Sequence, residues 1–157
     1  MSATVYFASD HAGFPLKEAL SKEVADAGYK VEDCGAFSLD PSDDYPDFVT
    51  VCAQKVAKEE GSFGIVFGAS GQGEAMCANR VQGVRAAVFY GSPKKEQVDA
   101  GGEFLSLIAS VRRHNDARIL ALGARFLSLE EARDAVFSFL TTPFSSDERH
   151  SRRLAKF

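Results

Sequence analysis

The sequence predicts a single Rossmann-like α/β domain over residues 1–157, with a doubly wound, five-stranded parallel sheet between two layers of helices. Two observations predict it. Five short apolar runs alternate with stretches of helical spacing, and strands that alternate with helices form a parallel sheet covered on both faces. The 157 residues, 45% of them hydrophobic, suit one domain and contain no internal repeat or linker. The predicted strand order is 2-1-3-4-5, with a helical tail at about 145–157.

The five predicted strands are short and apolar, and the third, FGIVFGA, is the most apolar of them. Apolar, β-rich runs that are bounded by polar or glycine-containing stretches are typical of buried strands. The strands are predicted at 4–9, 30–35, 63–69, 84–90 and 117–124.

Boundary signals place helices between these strands. The first helix has Pro15 in its first turn and Gly28 at its end. The helix after the fifth strand opens with Ser128 and Glu131, which have the spacing of a capping box. Apolar residues at helical spacing predict another helix near 46–60, and a further one opens directly after a glycine turn that follows the third strand.

Charge and composition limit the partners and the compartment. A net charge of −4 and a pI near 5.4 predict no general attraction to nucleic acid or to an anionic membrane. The apolar runs are too short to cross a bilayer and the N-terminus lacks a signal pattern, so we expect a cytosolic protein. The three cysteines lack the paired spacing of a zinc or redox site, which predicts reduced and mostly buried thiols: Cys34, Cys52 and Cys77.

The predicted ligand site lies at the carboxyl edge of the sheet, where the strand order reverses. In the predicted order this point lies between the first and third strands, so SDHAG and GASGQGE should meet there. The first stretch supplies Asp10 and His11, which can relay protons or bind a sugar hydroxyl and a phosphate. The second contains Gly71 and Gly73, which allow a turn that points several N–H groups at an anion or a developing oxyanion.

The glycine turn comes close to two known motifs and matches neither. A nucleophile elbow needs glycine where this chain has Gln72, so Ser70 lacks that context. The dinucleotide fingerprint fails at Met76 and would belong after the first strand. A tight strand-to-helix turn with no chemical role is therefore the alternative interpretation.

Glu74 follows the glycines directly and has two interpretations. A carboxylate in a first helical turn complements the helix dipole. A partly buried carboxylate can instead be a general base, because burial raises its pKa toward the working pH while the helix N-terminus lowers it. The local sequence leaves both interpretations open.

Basic residues in the second half of the chain form another set of candidates. His114 and Asn115 precede the fifth strand, at the edge of the sheet opposite the crevice, so they either form a polar surface turn or reach a neighbour's site in an oligomer. Arg149 and Arg153 lie on one helical face, which suits either a phosphate dianion or a solvated basic surface. Arg125, just after the fifth strand, is a candidate cation at the crevice.

Five ordered stretches resemble the type-B ribose-5-phosphate isomerase and galactose-6-phosphate isomerase family over nearly the whole chain. They are ASDHAGFPLK, DYPDF, GIVFGASGQGEAMCANRVQGVRAA, RRHNDARILALGARF and RHSRR. The resemblance implies a Rossmann-like fold and a sugar-phosphate isomerase that uses no metal and no nucleotide cofactor. It also implies homodimers, often paired into tetramers, in which each active site is built from two subunits.

The resemblance implies a role for each candidate residue. Many members carry a cysteine base where this chain has Gly68, and another branch has a glutamate at the position of Glu74. This chain resembles that branch, so Glu74 is expected to transfer a proton between neighbouring carbons through a cis-enediol. Asp10 is expected to handle hydroxyl protons and, with His114 of the partner subunit, to open the furanose ring. The remaining implied contacts are Ser70 and the N–H groups of Gly71, Gln72, Gly73 and Glu74 to the enediolate oxygen, Asn115 to a sugar hydroxyl, and His11, Arg125, Arg149 and Arg153 to the phosphate.

The expected function is the interconversion of ribose 5-phosphate and ribulose 5-phosphate. One alternative is the same chemistry on a hexose 6-phosphate or a tetrose phosphate, and another is a non-catalytic module that binds a sugar phosphate or a nucleotide. A serine hydrolase using Ser70 is a further alternative. The segment from Gly91 to Phe104 looks longer than the family norm, which leaves the preferred sugar open.

Overall fold

The computed structural model describes residues 3–95 and 97–157. Five parallel strands form one sheet with helices between successive strands, so the predicted Rossmann-like α/β fold is confirmed. In chain order the elements are β1 Thr4–Ser9, α1 Phe14–Asp26, β2 Lys30–Asp33, α2 Tyr45–Lys58, β3 Phe63–Gly68, α3 Gln72–Ala78, β4 Ala86–Phe89, α4 Leu107–Asn115, β5 Ile119–Gly123, α5 Leu129–Thr141 and α6 Glu148–Leu154.

The order of the last two strands differs from the prediction. The sheet runs β2-β1-β3-β5-β4, so the predicted order 2-1-3-4-5 is wrong. Strand β5 pairs with β3 along its whole length and leaves β4 at the edge. Burial gives the physical reason, because every residue of β5 is buried whereas three of the four residues of β4 are only partly buried. The central position, flanked by strands on both sides, removes more apolar surface from water and favours ILALG over AAVF.

The corrected order brings the end of β5 beside the end of β3. The N–H of Ala124 donates to the carbonyl of Gly68 at 2.8 Å, and the N–H of Arg125 donates to the carbonyl of Ala69 at 3.1 Å. Arg125 therefore follows a strand that is hydrogen-bonded directly to β3, next to the glycine turn. The predicted order would have placed it one strand further away.

Two apolar cores cover the two faces of the sheet. On one face, α1, α4 and α5 pack against the strands, with Phe7 and Phe67 stacked at 6.0 Å between ring centroids. On the other face, α2 and α3 supply a second cluster that includes Cys52. Cys34 and Cys52 are buried, Cys77 is half-buried, and all three are free thiols, as the sequence predicts.

The predicted helix boundaries hold at both ends of the chain. Pro15 lies in the first turn of α1, and Gly28 after that helix adopts a φ of 93°. Ser128 and Glu131 form the predicted capping box of α5. The tail forms α6, which packs against α4. Within residues 3–95 and 97–157, every helix falls short of the length and apolar character that a membrane crossing requires.

Candidate active site

The candidate residues fall into two separate groups in the folded chain. The crevice group lies at the carboxyl edge of the sheet, and the tail group lies on α4 and α6. The crevice group is Asp10, His11, Ser70, Gly71, Gln72, Gly73, Glu74 and Arg125. The tail group is His114, Asn115, Arg149 and Arg153.

The connections after β1 and β3 meet at the crevice, as predicted. Ser9 pairs with Phe67 in the sheet, and a Cβ at Gly13 would overlap Phe67. The absence of a side chain at Gly13 therefore lets the start of α1 lie directly against β3. Asp10 is buried there, and its Oδ1 accepts hydrogen bonds from the N–H groups of Ala12 at 3.0 Å and Gly13 at 3.2 Å. These two bonds fix the Asp10 carboxylate at the mouth of the crevice.

The glycine turn is held tightly against β5. Gly71 has a φ of 76°, a left-handed conformation that favours glycine, and a Cβ there would lie 3.0 Å from the carbonyl oxygen of Ala121. The N–H groups in the first turn of a helix have no carbonyl acceptor within that helix. The N–H of Gln72 points to the Ser70 hydroxyl at 3.4 Å. The turn can therefore present N–H groups to a ligand oxygen.

The Glu74 side chain folds back over the end of β3. It is 4% exposed, and a Cβ at Gly68 would overlap its carboxylate. The carboxylate of Glu74 thus occupies the space that a side chain at position 68 would fill. A side chain at position 68 and the Glu74 side chain would therefore meet at the same point, at the carboxyl end of a central strand.

Burial raises the pKa of the Glu74 carboxyl. The backbone N–H of Glu74 itself opposes this shift, and the negative charge of Asp10 adds to it. A carboxylate that only complements a helix dipole normally faces solvent and keeps a low pKa. A buried carboxyl group in a crevice with a raised pKa has the environment of a general base.

His11 is paired with Asp43, a residue that the sequence interpretation missed. The Oδ1 atom of Asp43 accepts from the backbone N–H of His11 at 3.0 Å and lies 2.7 Å from Nδ1 of the ring. The hydrogen bond to Asp43 is the main cause that raises the pKa of His11. Asp10 raises that pKa further, while burial and Arg125 lower it.

Tyr45 is a second crevice residue that the interpretation missed. A Cβ at Gly73 would lie 2.7 Å from the Tyr45 hydroxyl, so this hydroxyl covers the glycine turn. Both Asp43 and Tyr45 lie in SDDYPDF, after β2. The signal was available, because the carboxyl ends of neighbouring parallel strands lie at one edge of a sheet and β2 neighbours β1.

Of the side chains in the described ranges, one group has the spacing that a metal ion would need. Ligand-type atoms of Asp10, His11 and Asp43 lie within 4.8 Å of one another. The hydrogen bond between Nδ1 of His11 and Oδ1 of Asp43 accounts for this closeness, because these two atoms face each other. The group is thus an imidazole held by a carboxylate.

The tail group is organised by two stacked imidazole rings. His114 on α4 and His150 on α6 lie 4.3 Å apart between centroids with an interplanar angle of 5°, and Ser110 Oγ lies 3.4 Å from His114 Nδ1. Nε of Arg149 donates to Nε2 of His150 at 3.1 Å. Burial, followed by the nearby His114 and Arg149, lowers the pKa of His150. The stack therefore fixes the relative positions of His114 and α6.

The tail group lies at the amino edge of the sheet, opposite Glu74. The carbonyl oxygen of Asn115 accepts from Nε of Arg85 at 2.9 Å, and Arg85 directly precedes β4. Because β4 and β5 are parallel, this contact places the end of α4 where the strands begin. A single chain therefore keeps His114 and Glu74 apart, which is what the sequence predicts.

The segment between β4 and α4 contains a short hairpin. An isolated bridge joins Val98 and Phe104, and Oδ1 of Asp99 accepts from the N–H groups of Gly101 at 2.7 Å and Glu103 at 3.0 Å. Leu105 is buried at its base, whereas Val98 and Phe104 are exposed.

Comparison with known proteins gives full-length matches. A family model described as Ribose/Galactose Isomerase matches residues 5–101 and 104–157, with the interruption inside the hairpin. Ribose-5-phosphate isomerase B of Mycolicibacterium paratuberculosis is 39% identical over 150 residues, which cover 96% of this chain and 86% of that protein. The corresponding protein of Mycobacterium tuberculosis is 37% identical, with 96% and 85% covered.

Solved structures agree with these sequence matches. Ribose-5-phosphate isomerase B from Mycoplasma genitalium, determined with bound ribulose-5-phosphate, superposes with a TM-score of 0.85 at 34% identity and covers 99% of this chain and 94% of that chain. The Trypanosoma cruzi type B ribose 5-phosphate isomerase gives a TM-score of 0.84 at 38% identity, with 99% and 94% covered.

Proposed function

Because the chain belongs to the ribose/galactose isomerase family, we propose that it interconverts D-ribose 5-phosphate and D-ribulose 5-phosphate. The observation that carries the proposal is the buried Glu74 carboxylate at the carboxyl end of β3, beside the glycine turn and Asp10. The bound ribulose-5-phosphate in the Mycoplasma genitalium relative supports a sugar phosphate as the substrate.

Glu74 is the general base in this proposal. The ionised carboxylate takes the proton from C2 of the open-chain aldose and returns it to C1 of the cis-enediol. Burial raises the pKa of the carboxyl, which makes its conjugate base stronger and favours proton abstraction from carbon. No electrons leave the substrate, so the chemistry needs no redox cofactor.

The turn before α3 stabilises the negative charge that develops on oxygen. In this proposal the Ser70 hydroxyl and the N–H groups from Gly71 to Glu74 donate to the enediolate oxygen, and fixed donors of this kind stabilise the transition state more than the substrate. Asp10, held by the N–H groups of Ala12 and Gly13, moves protons between the substrate hydroxyls.

The complete site needs a second copy of the chain. We expect a cytosolic homodimer in which the tail group of one subunit closes the crevice group of the other, because the two groups lie at opposite edges of one sheet. His114 of the partner subunit then opens the furanose ring and its Asn115 holds a sugar hydroxyl. His11, Arg125, Arg149 and Arg153 bind the phosphate, which supplies the binding energy that orients the reacting carbons.

The direct test is a coupled isomerase assay on ribose 5-phosphate, a hexose 6-phosphate and a tetrose phosphate. We expect the highest kcat/KM with ribose 5-phosphate. A higher value with another sugar phosphate would keep the chemistry and replace the substrate, and binding without turnover would indicate a binding module. Ser70→Ala separates the isomerase from a serine hydrolase, because only a hydrolase loses all activity with that hydroxyl.

A further inference from the structure

One carboxylate oxygen fixes both the backbone and the ring of His11. Oδ1 of Asp43 lies 3.0 Å from the backbone nitrogen of His11 and 2.7 Å from its Nδ1. The Asp43 side chain is 8% exposed, whereas that of His11 is 32% exposed. The ring therefore has its Nδ1 side against a buried carboxylate, and Nε2 is the ring nitrogen left for a ligand.

The second carboxylate oxygen of Asp43, Oδ2, adds a free-energy cost to this pairing. Oδ2 is buried and has no hydrogen-bond partner among the residues that the structure describes. A buried, ionised carboxylate that lacks part of its hydrogen bonding is unfavourable unless a cation compensates it. His11 is the group that donates to this carboxylate, so the arrangement favours a protonated ring.

We propose that Asp43 is a positioning residue for the substrate phosphate, which holds the His11 ring in place and keeps it cationic so that Nε2–H donates to a phosphate oxygen. The proposal rests on the proposed function, in which His11 binds the phosphate. A charge-assisted hydrogen bond from an imidazolium is stronger than one from a neutral ring. Asp43 thus contributes to substrate binding indirectly, through His11, and does not itself contact the substrate.

The four charged groups around His11 come from three parts of the chain. Asp43 lies before α2 and Asp10 follows β1, and both raise the pKa of His11. Arg125, after β5, lowers it. Asp40 lies on the same loop as Asp43 and is affected by the charge of His11, but its carboxylate accepts its hydrogen bonds from Ser42. Of these four charged groups, Asp43 is the one that is hydrogen-bonded to the His11 ring.

The first test is Asp43→Asn, with Asp40→Asn as the matched control from the same loop. The amide oxygen still accepts from His11 but carries no charge, so the imidazole should lose its proton at a lower pH. We expect the KM for ribose 5-phosphate to rise roughly tenfold above neutral pH, with little change in kcat, and to begin rising at a lower pH than in the unmodified enzyme. Asp40→Asn should leave the KM profile nearly unchanged.

A double variant shows whether Asp43 acts through His11. His11→Asn alone should raise KM, and adding Asp43→Asn to it should then cause less than about a twofold further change, because the partner is already gone. A full additional increase in KM, or an unshifted KM profile in Asp43→Asn, would overturn the proposal. Asp43→Glu, which keeps the charge, should recover part of the affinity, and circular dichroism checks that each variant is folded.

An NMR titration of the free protein separates this proposal from the proposed function. The His11 ring signals, assigned with His11→Asn, should titrate at a lower pH in Asp43→Asn than in the unmodified protein. If the unmodified protein has no isomerase activity, the proposed function fails while the titration still tests the pairing. If activity is present and the titration does not move, the pairing fails alone.

Discussion

The crevice group and the tail group are built in opposite ways. In the crevice group, the carboxylates of Asp10 and Glu74 are buried after β1 and β3, and two backbone N–H groups hold that of Asp10. In the tail group, the exposed guanidinium groups of Arg149 and Arg153 project from α6, and a stack of two imidazole rings fixes that helix against α4. The difference indicates that the fold of one chain fixes the carboxylates of Asp10 and Glu74 in place, whereas the guanidinium groups of Arg149 and Arg153 stay exposed to solvent.

The two groups also differ in their electrostatics. Burial raises the pKa of Glu74, so the protonation of this carboxyl group depends on how the folded chain encloses it. Exposed cations interact weakly at a distance because water and salt screen them. Substitution of Glu74 in the crevice should therefore mainly change kcat, and substitution of Arg149 or Arg153 in the tail should mainly change KM.

Replacing the base should have the largest effect. We expect Glu74→Gln to lower kcat by roughly 10²–10⁴-fold, the usual contribution of a general base, with substrate binding largely intact. Glu130→Gln is the matched control, because Glu130 is also an acidic residue in a first helical turn but is exposed. Steady-state kinetics on both variants measures the difference. Near-normal turnover in Glu74→Gln would rule out the assigned role.

Mixing two inactive variants tests whether the groups come from different subunits. Glu74→Gln and His114→Asn should each be nearly inactive alone. In a mixed dimer, the subunit with intact Glu74 receives an intact His114 from its partner, so random reassociation should restore about a quarter of the normal rate. Activity assayed after joint refolding measures this recovery. Mixtures that stay as inactive as the separate variants would place both groups in one subunit's site.

Adding a methyl group at position 68 should disturb only the crevice. A Cβ at Gly68 would overlap the Glu74 carboxylate, so Gly68→Ala must displace the base. Because displacements of about 1 Å can cost up to about 10²-fold in rate, we expect kcat to fall about 10- to 100-fold with a smaller change in KM. Gly101→Ala on the exposed hairpin is the control, since its nearest neighbour is a side-chain atom at 3.2 Å. Unchanged kinetics in Gly68→Ala would show that the carboxylate acts from elsewhere.

Removing a tail cation should weaken binding. We expect Arg149→Ala or Arg153→Ala to raise the KM for ribose 5-phosphate by about tenfold with little change in kcat, because a charge-assisted hydrogen bond to phosphate is lost. Arg152→Ala is the control, because Arg152 is exposed on the same helix and pairs with Glu148 at 3.6 Å. Equal KM values in all three variants would indicate that α6 is a solvated basic surface.

Glu74→Gln should also make the fold more stable at neutral pH. The pKa of Glu74 is raised in the folded state. Once the pH exceeds the pKa that Glu74 has in the unfolded chain, its ionisation therefore costs the folded state free energy. Below that pKa the cost is absent, because Glu74 is protonated in both the folded and the unfolded state. The variant should thus melt at a higher temperature near pH 7, about 2–4 °C for each kcal/mol recovered, with the gain vanishing in acid. Calorimetry across the pH range measures this, and a gain that grows in acid would contradict it.

Local signals predicted most of the fold. The capping box at Ser128 and Glu131, Pro15 and Gly28 all act within a few residues, so the sequence around them is sufficient. The lateral order of β4 and β5 depends on which strand gains more from the central position, which is a comparison across the whole sheet. The predicted order placed β4 next to β3, a position that β5 occupies.

The same distinction applies to the site. Asp10 directly follows β1, and Glu74 lies in the helix that follows β3. The sequence pattern around each residue was sufficient to predict its place at the crevice. Asp43 was missed because its partner, His11, is 32 residues away and the loop after β2 must fold back to bring them together. The raised pKa of Glu74 could not be read from its neighbours in sequence, because its first cause is burial by the folded chain.

The overlap between a side chain at position 68 and the Glu74 carboxylate constrains how such a site can evolve. A side chain at position 68 would enter from β3 the same volume that the Glu74 carboxylate fills from α3. Under the proposed function, a chain with both a side chain at position 68 and Glu74 would be crowded, and a chain with neither group would have no base. Moving the base from position 74 to position 68 by single substitutions would therefore pass through an impaired intermediate, so a chain of this kind should tend to keep the base that it has.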